Sequence, residues 1–299
     1  MACNAAHGAQ GRVCIEQAAS LSSSALYLDF VREGVEQVQT HVNSDGIRNT
    51  RSLHTNRNRA QATFVRGPIV CHPSPLDLDT LLPLILGAAE STDTFALAET
   101  IPDCIIGKDL DGVLYDYAES KVNRAVFSSQ AGGLLELRMD FLGVAQASLG
   151  AWPSITLGTT LADQPLVHSD STTALNLDGN AIAMMNWRMT IENGLDLRFT
   201  NSLTPTSICP HWRKITVEFT IPYFSANEKA LYTTGISAIA GDVTFTNSAV
   251  STKFDWAALH LEARTPVIRG KKEIAQHLKY SALETASAKE LVVTNDSAV

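Results

Sequence analysis

The sequence predicts a mainly β protein with two tandem β-barrel or β-sandwich domains, each carrying one short flanking α-helix. Three observations support this prediction. Several stretches alternate apolar and polar residues with the period of two that is typical of half-buried strands. Turn signals rich in Gly and Asn separate these stretches. A unit made of a strand, a helix cap and a short helix occurs once in each half of the 299-residue chain, which indicates an internal duplication.

The first unit follows a stretch rich in apolar and β-branched residues that ends near Val70, as expected of a strand. Ser74 can cap the next helix, and Asp77 stands three residues later, where it completes a capping box. Pro83 is expected to limit this helix to one or two turns, and Gly87 to end it.

The second unit repeats the pattern about 140 to 160 residues later, a distance that suits an ordinary domain. Ile215, Val217 and Phe219 alternate with polar residues, which predicts a strand. Ser225 and Glu228 then form a second capping box before a short apolar run. Because two such units have similar flanking stretches, we expect two related modules.

The predicted divisions of the chain follow composition. Residues 1–24 are polar and rich in small residues, and residues 150–180 are low in charge and rich in Ser, Thr, Gly and Pro. The expected parts are an N-terminal arm over residues 1–24, a first domain over 25–150, a linker over 151–180, a second domain over 181–285 and a C-terminal tail over 286–299.

The clearest strand of the first domain follows the turn signal Gly132-Gly133. Its apolar residues alternate with charged ones: Leu135, Leu137, Met139 and Phe141. In the second domain a strand containing Trp187 precedes Asn193-Gly194, a dipeptide that favours a tight hairpin turn. A return strand ending at Phe199 is expected to follow it.

The composition limits the classes of partner. The net charge is −8 and the isoelectric point is about 5.5, which argues against tight binding to DNA phosphates. No signal peptide and no apolar run of membrane-spanning length are visible. The five Cys residues are scattered and odd in number, which predicts reduced thiols in a protein made in the cytoplasm.

No catalytic constellation is apparent, so neither an enzyme nor a cofactor is predicted. Cys71-His72 and Cys209-x-His211 occupy similar places in the two units, but no further ligands are spaced to complete a tetrahedral metal site. Five carboxylates could form an acid–base cluster: Asp77, Asp79, Asp109, Asp111 and Asp116. Capping explains the first, and turns explain Asp109 and Asp111.

The long stretch 43–58 is predicted to be an exposed loop between two strands. It carries Arg48, Arg51 and Arg57, with Arg59 just beyond. Nucleic-acid contact is one interpretation, although no aromatic residues are interleaved. A solvated loop is a second. We favour a third, an arm that reaches an acidic patch on a neighbouring subunit, because arginine suits such interface pairs.

A family resemblance supports the third interpretation. The chain resembles the tail tube proteins of long-tailed bacteriophages. The resemblance is carried by DGIRNTRS from Asp45, PSPLDLDTLLPLILG from Pro73, KVNR from Lys121 and AGGLLEL from Ala131. It covers most of residues 25–144 and extends to the second half through the repeat.

The resemblance implies a structural virion protein. Its subunits form rings whose inner strands join into one barrel, and the rings stack into the tail tube that conducts DNA. The implied partners are other copies of the chain, the tape measure protein, other tail proteins and genomic DNA without sequence-specific binding, and no membrane. A duplicated domain predicts a trimeric ring with pseudo-sixfold symmetry, and a hexamer is the alternative.

The same resemblance assigns residues to assembly. The arginine loop is expected to contact adjacent subunits or rings. Strand residues are expected to build the ring: Leu135, Leu137, Met139, Phe141, Ile215, Val217 and Phe219. We also expect a net negative lumen, over which DNA slides because few phosphates are held.

Two other classes stay open. One is a different phage structural β-domain of the capsid, baseplate or spike, which would not polymerise into hollow tubes. The other is a ligand- or glycan-binding β-sandwich, which exposed aromatic residues would favour. The four tryptophans lie on or near apolar strand patterns and are predicted to be core residues: Trp152, Trp187, Trp212 and Trp256.

Overall fold

The computed structural model describes residues 10–46, 49–155, 163–170, 175–222, 238–262 and 274–297. The chain is mainly β, as predicted. Its strands are β1 (Arg12–Glu16), β2 (Leu26–Leu28), β3 (Phe30–Glu33), β4 (Glu36–Asn43), β5 (Asn58–Cys71), β6 (Thr94–Ala96), β7 (Cys104–Leu110), β8 (Val113–Gln130), β9 (Glu136–Ser148), β10 (Leu175–Leu177), β11 (Asn180–Ile182), β12 (Asn186–Glu192), β13 (Leu195–Arg198), β14 (Ser207–Pro210), β15 (Lys214–Pro222), β16 (Ile239–Asn247), β17 (Val250–Glu262), β18 (Ala275–Ala282) and β19 (Val292–Asp296). The described helices are α1 (Pro75–Leu86) and two 3₁₀ turns, Thr55–Arg57 and His168–Asp170.

Eight strands form an antiparallel main sheet that runs through both halves of the chain. Their order is β4–β5–β9–β8–β12–β15–β18–β17. The junction between the halves is the pair β8–β12, in which residues 124–130 lie opposite residues 186–192 without a register shift. Both predicted domains therefore contribute to one sheet and to one hydrophobic core.

The two halves have the same strand order. In the first half β5 pairs with β9, β9 with β8 and β8 with β7. In the second half β15 pairs with β18, β18 with β17 and β17 with β16. The order along the chain is also the same.

Outer strands cover the apolar face of the main sheet. β1 pairs with both β2 and β7, and β19 pairs with both β6 and β17. Val13, Cys14 and Ile15 of β1 are buried. Residues 12–16 of the predicted N-terminal arm therefore form a strand, because three consecutive apolar side chains pack in the core. Residues 292–296 of the predicted tail likewise form a strand.

Helix α1 begins at the predicted capping box and ends before Gly87 as predicted, but it is longer than predicted. Ser74 Oγ accepts from the Asp77 backbone N–H at 3.1 Å, and Asp77 Oδ2 accepts from the Ser74 backbone N–H at 2.9 Å. The prediction that Pro83 limits the helix to one or two turns is wrong, since the helix spans 12 residues and contains Pro83. Burial of most of its side chains offsets the lost hydrogen bond. The predicted second helix near Ser225 lies outside the described residues.

Asn193-Gly194 does not form the predicted hairpin. β12 pairs with β15 and β13 pairs with β14, so the chain continues in one direction through a kink. Gly194 has φ 59°, and a Cβ at this position would lie 2.4 Å from the Trp212 carbonyl oxygen. Glycine is required because both the backbone angle and the close approach exclude a side chain.

Two of the four tryptophans are confirmed as core residues. Trp187 and Trp256 are buried and pack with ring centroids 6.4 Å apart. Trp152 is half-buried and lies under the guanidinium of Arg12. The prediction is wrong for Trp212, which is 92% exposed because it stands at the bend opposite the Gly194 kink.

Candidate assembly surface

The arginine-bearing segment forms the tip of a two-stranded extension. The distal parts of β4 and β5 pair through Asn43 and Asn58, and the loop between them is held by a hydrogen bond from the Ser44 N–H to the Arg57 carbonyl. Most side chains on this ribbon are exposed on both faces. A two-stranded ribbon of this kind has little stability of its own, so it is suited to packing against another surface.

Three of the four predicted arginines lie in the described residues. Arg51, Arg57 and Arg59 are exposed. Within the described ranges none of these three forms a salt bridge (Arg48 lies outside those ranges). The structure therefore presents three charged groups on a projecting ribbon, with their donors available to a carboxylate-bearing partner.

The predicted strand residues contact the interior of the chain. Leu135, Leu137, Met139, Phe141, Ile215, Val217 and Phe219 are all buried, with at most 2% of their surface exposed. They hold the main sheet against the outer strands and α1. A contribution of these residues to assembly is therefore indirect, through the shape and rigidity of the sheet. The sequence pattern identified a buried face and did not distinguish it from a contact surface.

Among the described strands, the main sheet has two unpaired edges. β3 pairs with β5 alone, next to β4. At the opposite side, residues 260–262 of β17 pair with β18 and with no other described strand. Val31 of β3 is 58% exposed, and no described strand covers it. Unpaired edges offer backbone N–H and C=O groups to another chain. Sequence periodicity alone could not have shown which strands are edges.

The uncovered face of the main sheet carries ionised side chains in cross-strand rows. Two rows alternate in sign, and each spans four adjacent strands: Asp140–Arg124–Glu192–Lys214 and Arg188–Glu218–Lys279–Glu262. Arg138 Nη2 lies 2.7 Å from Asp140 Oδ1, and Lys279 Nζ lies 3.0 Å from Glu262 Oε2. The hydrogen bond to Asp140 raises the pKa of Arg138. Each exposed pair stabilises the sheet by about 0.2–1 kcal/mol.

The comparison with protein families shows which family this chain belongs to. The family model for the phage tail tube protein matches residues 14–282. The chain belongs to this family. No curated protein matches it. The phage tail tube family has a structural role in the virion tail, which agrees with the β-rich fold described above.

The alternative metal and acid–base sites are not assembled in the described part of this tail tube protein. No group of three or more His, Cys, Asp or Glu residues there is placed to hold a metal ion. Burial raises the pKa of the Cys71 thiol. In the other pair, His211 Nε2 lies 3.9 Å from Asp196 Oδ2. Asp109 accepts from the Gly112 N–H at 2.7 Å, which confirms its turn role, and also pairs with Arg12.

The carboxylates Asp77 and Asp79 support the helix rather than a reaction. Asp77 belongs to the capping box, and Asp79 accepts hydrogen bonds from Asn295 and Ser297 of the C-terminal segment. Burial raises the pKa of both carboxyl groups. No helix in the described ranges has the length and apolar character that crossing a membrane requires.

Proposed function

We propose that three copies of this chain close into a ring with pseudo-sixfold symmetry and that rings stack into the tail tube that conducts DNA into the host. The main support is the eight-stranded sheet, which takes strands from both halves. Among the described strands its unpaired edges are β17 at one side and, at the other side, β3, which pairs with β5 next to β4. Closing a ring across chains pairs every edge. We infer that the two halves are duplicated modules.

The junction inside the chain is a template for the junction between chains. Within residues 124–130, β8 pairs with β9 on one side and with β12 on the other. Because the strand order repeats, the equivalent free edge is that of β17, and the equivalent incoming strand is β3 of the next copy. Each chain then supplies two equivalent junctions, one internal and one external, and three chains supply six.

The hexamer is the alternative, in which one half of each chain decorates the outside of the ring. The continuous sheet argues against it, because both halves place strands side by side in the same layer. The covered face also orients the sheet. α1 and the outer strands lie on the apolar side and need the larger circumference, so the uncovered polar face is the inner one.

The β4–β5 ribbon is proposed to contact an adjacent subunit or ring through Arg51, Arg57 and Arg59, together with Arg48. The other proposed partners are further tail proteins, and the tape measure protein and DNA in the lumen without sequence-specific contacts. Under this proposal the protein is made in the host cytoplasm and resides in the virion tail.

The test is assembly of the purified protein, by negative-stain microscopy and by native mass measurement of isolated rings. Tubes with trimeric rings are expected, and rings of six chains would refute the trimer. Val31→Lys places a charge on the β3 edge and is expected to abolish rings, because edge lysines block strand addition.

Val113→Lys is the matched control. Val113 is a similarly exposed valine, at 52%, and lies at the β7–β8 hairpin away from the open edges. This variant is expected to assemble like the natural protein. Equal assembly of both variants would contradict the assignment of β3 to the junction.

A further inference from the structure

Six of the eight strands of the main sheet form a part of the uncovered face that has balanced charge although the chain does not. We define the ladder face as the uncovered side of residues 124–130 of β8, residues 136–140 of β9, β12, residues 214–220 of β15, residues 260–262 of β17 and β18. Its five cations are Arg124, Arg138, Arg188, Lys214 and Lys279, and its five anions are Glu136, Asp140, Glu192, Glu218 and Glu262. The formal sum is zero, whereas the chain carries −8.

The cations and anions are mixed at the finest spacing that a sheet allows. Glu192 lies directly between Arg124 and Lys214 on the neighbouring strands. Glu218 lies directly between Arg188 and Lys279. Adjacent strands are about 4.8 Å apart, which is well below the Debye length of about 10 Å at 0.1 M salt. The fields of opposite charges therefore largely cancel before they reach a molecule above the face.

Three of the five cations already have a carboxylate within 4.0 Å: Arg124, Arg138 and Lys279. Arg124 Nε lies 3.6 Å from Glu192 Oε1, and its Nη1 lies 4.0 Å from Asp140 Oδ2. A phosphate would have to displace these carboxylates before it could be held. Tight binding to nucleic acid depends on free Lys and Arg groups that release counterions from the phosphates, and here carboxylates on neighbouring strands compete for those groups.

We propose that the ladder face is a self-neutralising lining over which a nucleic-acid polyanion passes with neither capture nor strong repulsion. This rests on the proposed function, which makes the polar face the inner one. This proposal replaces the expected net negative lumen with a lining in which positive and negative side chains balance. The carboxylates compete with phosphate for the cations, and the cations offset the repulsion between the carboxylates and a polyanion.

The test removes the carboxylates that separate the cations. Glu192→Gln/Glu218→Gln keeps the side-chain size and removes the carboxylates directly opposite Lys214 and Arg188. Arg124 and Lys279 each lose one of two opposing anions and keep Asp140 and Glu262 respectively. The matched control, Glu119→Gln/Asp178→Asn, makes the same change in net charge at exposed positions off the ladder face. All are made in the Val31→Lys background, so that the face is accessible on unassembled chains.

The measurement is fluorescence anisotropy with a labelled 20-base-pair DNA of mixed sequence between 50 and 200 mM NaCl. The background and control proteins are expected to show no saturable binding. The ladder variant is expected to bind at low salt and to lose about 10- to 150-fold in affinity across this range, as two to four new phosphate contacts would predict.

Binding of DNA by the background protein, or equal behaviour of the ladder and control variants, would overturn the proposal. The outcome is separable from that of the proposed function. A chain that never forms rings contradicts the tube assembly and leaves the DNA comparison on free chains intact. Tubes that form normally, together with a ladder variant that does not bind DNA, contradict the ladder alone.

Discussion

Replacement of Asn193 by alanine is expected to destabilise the whole fold, because this side chain joins three elements. Asn193 is 3% exposed. Its Nδ2 donates to the Ile85 carbonyl of α1 at 3.0 Å and to the Val122 carbonyl of β8 at 2.9 Å. The Ile85 carbonyl is in the last turn of the helix, where no backbone N–H of the helix can reach it.

The magnitude follows from the groups left behind. Asn193→Ala leaves two buried carbonyls without this donor, and a buried group that loses its partner costs about 1–3 kcal/mol. Asn193 Oδ1 has no partner in the described structure, so its removal relieves part of that cost. We expect a net loss of about 2–4 kcal/mol in the free energy of unfolding.

Urea unfolding followed by tryptophan fluorescence measures this loss. Asn180→Ala is the control. Asn180 Nδ2 also donates to a backbone carbonyl, that of Asp178 at 3.1 Å, but this side chain is exposed. Asn193→Asp is expected to be at least as harmful as Asn193→Ala at neutral pH, since a carboxylate offers no donor to the carbonyls. A loss below about 0.5 kcal/mol, equal to that of Asn180→Ala, would refute the reasoning.

Three further predictions follow. Ser74→Ala removes the helix cap and is expected to lower the free energy of unfolding by about 1 kcal/mol, measured by urea denaturation; Ser74→Gly should lose less, and no loss would contradict the capping role. Burial raises the pKa of Asp79 above its ordinary 3.8, so the native state binds this proton more readily than the unfolded state and stability falls as pH rises above about 4. Asp79→Asn should flatten that fall in thermal unfolding across pH 4–7, and an unchanged pH profile would contradict this. Burial raises the pKa of Cys14 and Cys104 to about 12, so in a Cys3→Ser variant at pH 8 only the half-buried Cys209 should react with iodoacetamide, as read by peptide mass spectrometry; labelling of Cys14 before unfolding would contradict the described core.

Local features were predictable from the sequence. The Ser74–Asp77 capping box involves residues three positions apart, and the alternation in β9, β12 and β15 reports directly which side chains are buried. These signals work because a helix start and a strand face are set by near neighbours along the chain. The same locality explains the error at Pro83, since only the packing around α1 shows that burial outweighs one lost hydrogen bond.

Other features depend on residues that are far apart in the sequence. Arg12 meets Asp109 across 97 positions, and Asn193 meets Ile85 across 108. Asn193-Gly194 has the composition of a hairpin turn, and only the pairing of β12 with β15 shows that the chain continues through it. The exposed position of Trp212 follows from that same kink.

The amino-acid pattern alone predicts a mainly β chain with a capped helix, buried strand faces and a set of mixed charges. The folded structure shows which strands are neighbours, which edges stay open and which charges lie opposite one another. These features need the fold because strand order and register are set by long-range pairing and shared burial. Glu192 is an ordinary surface residue in the sequence, and it lies between two cations only because β8, β12 and β15 are adjacent in this register.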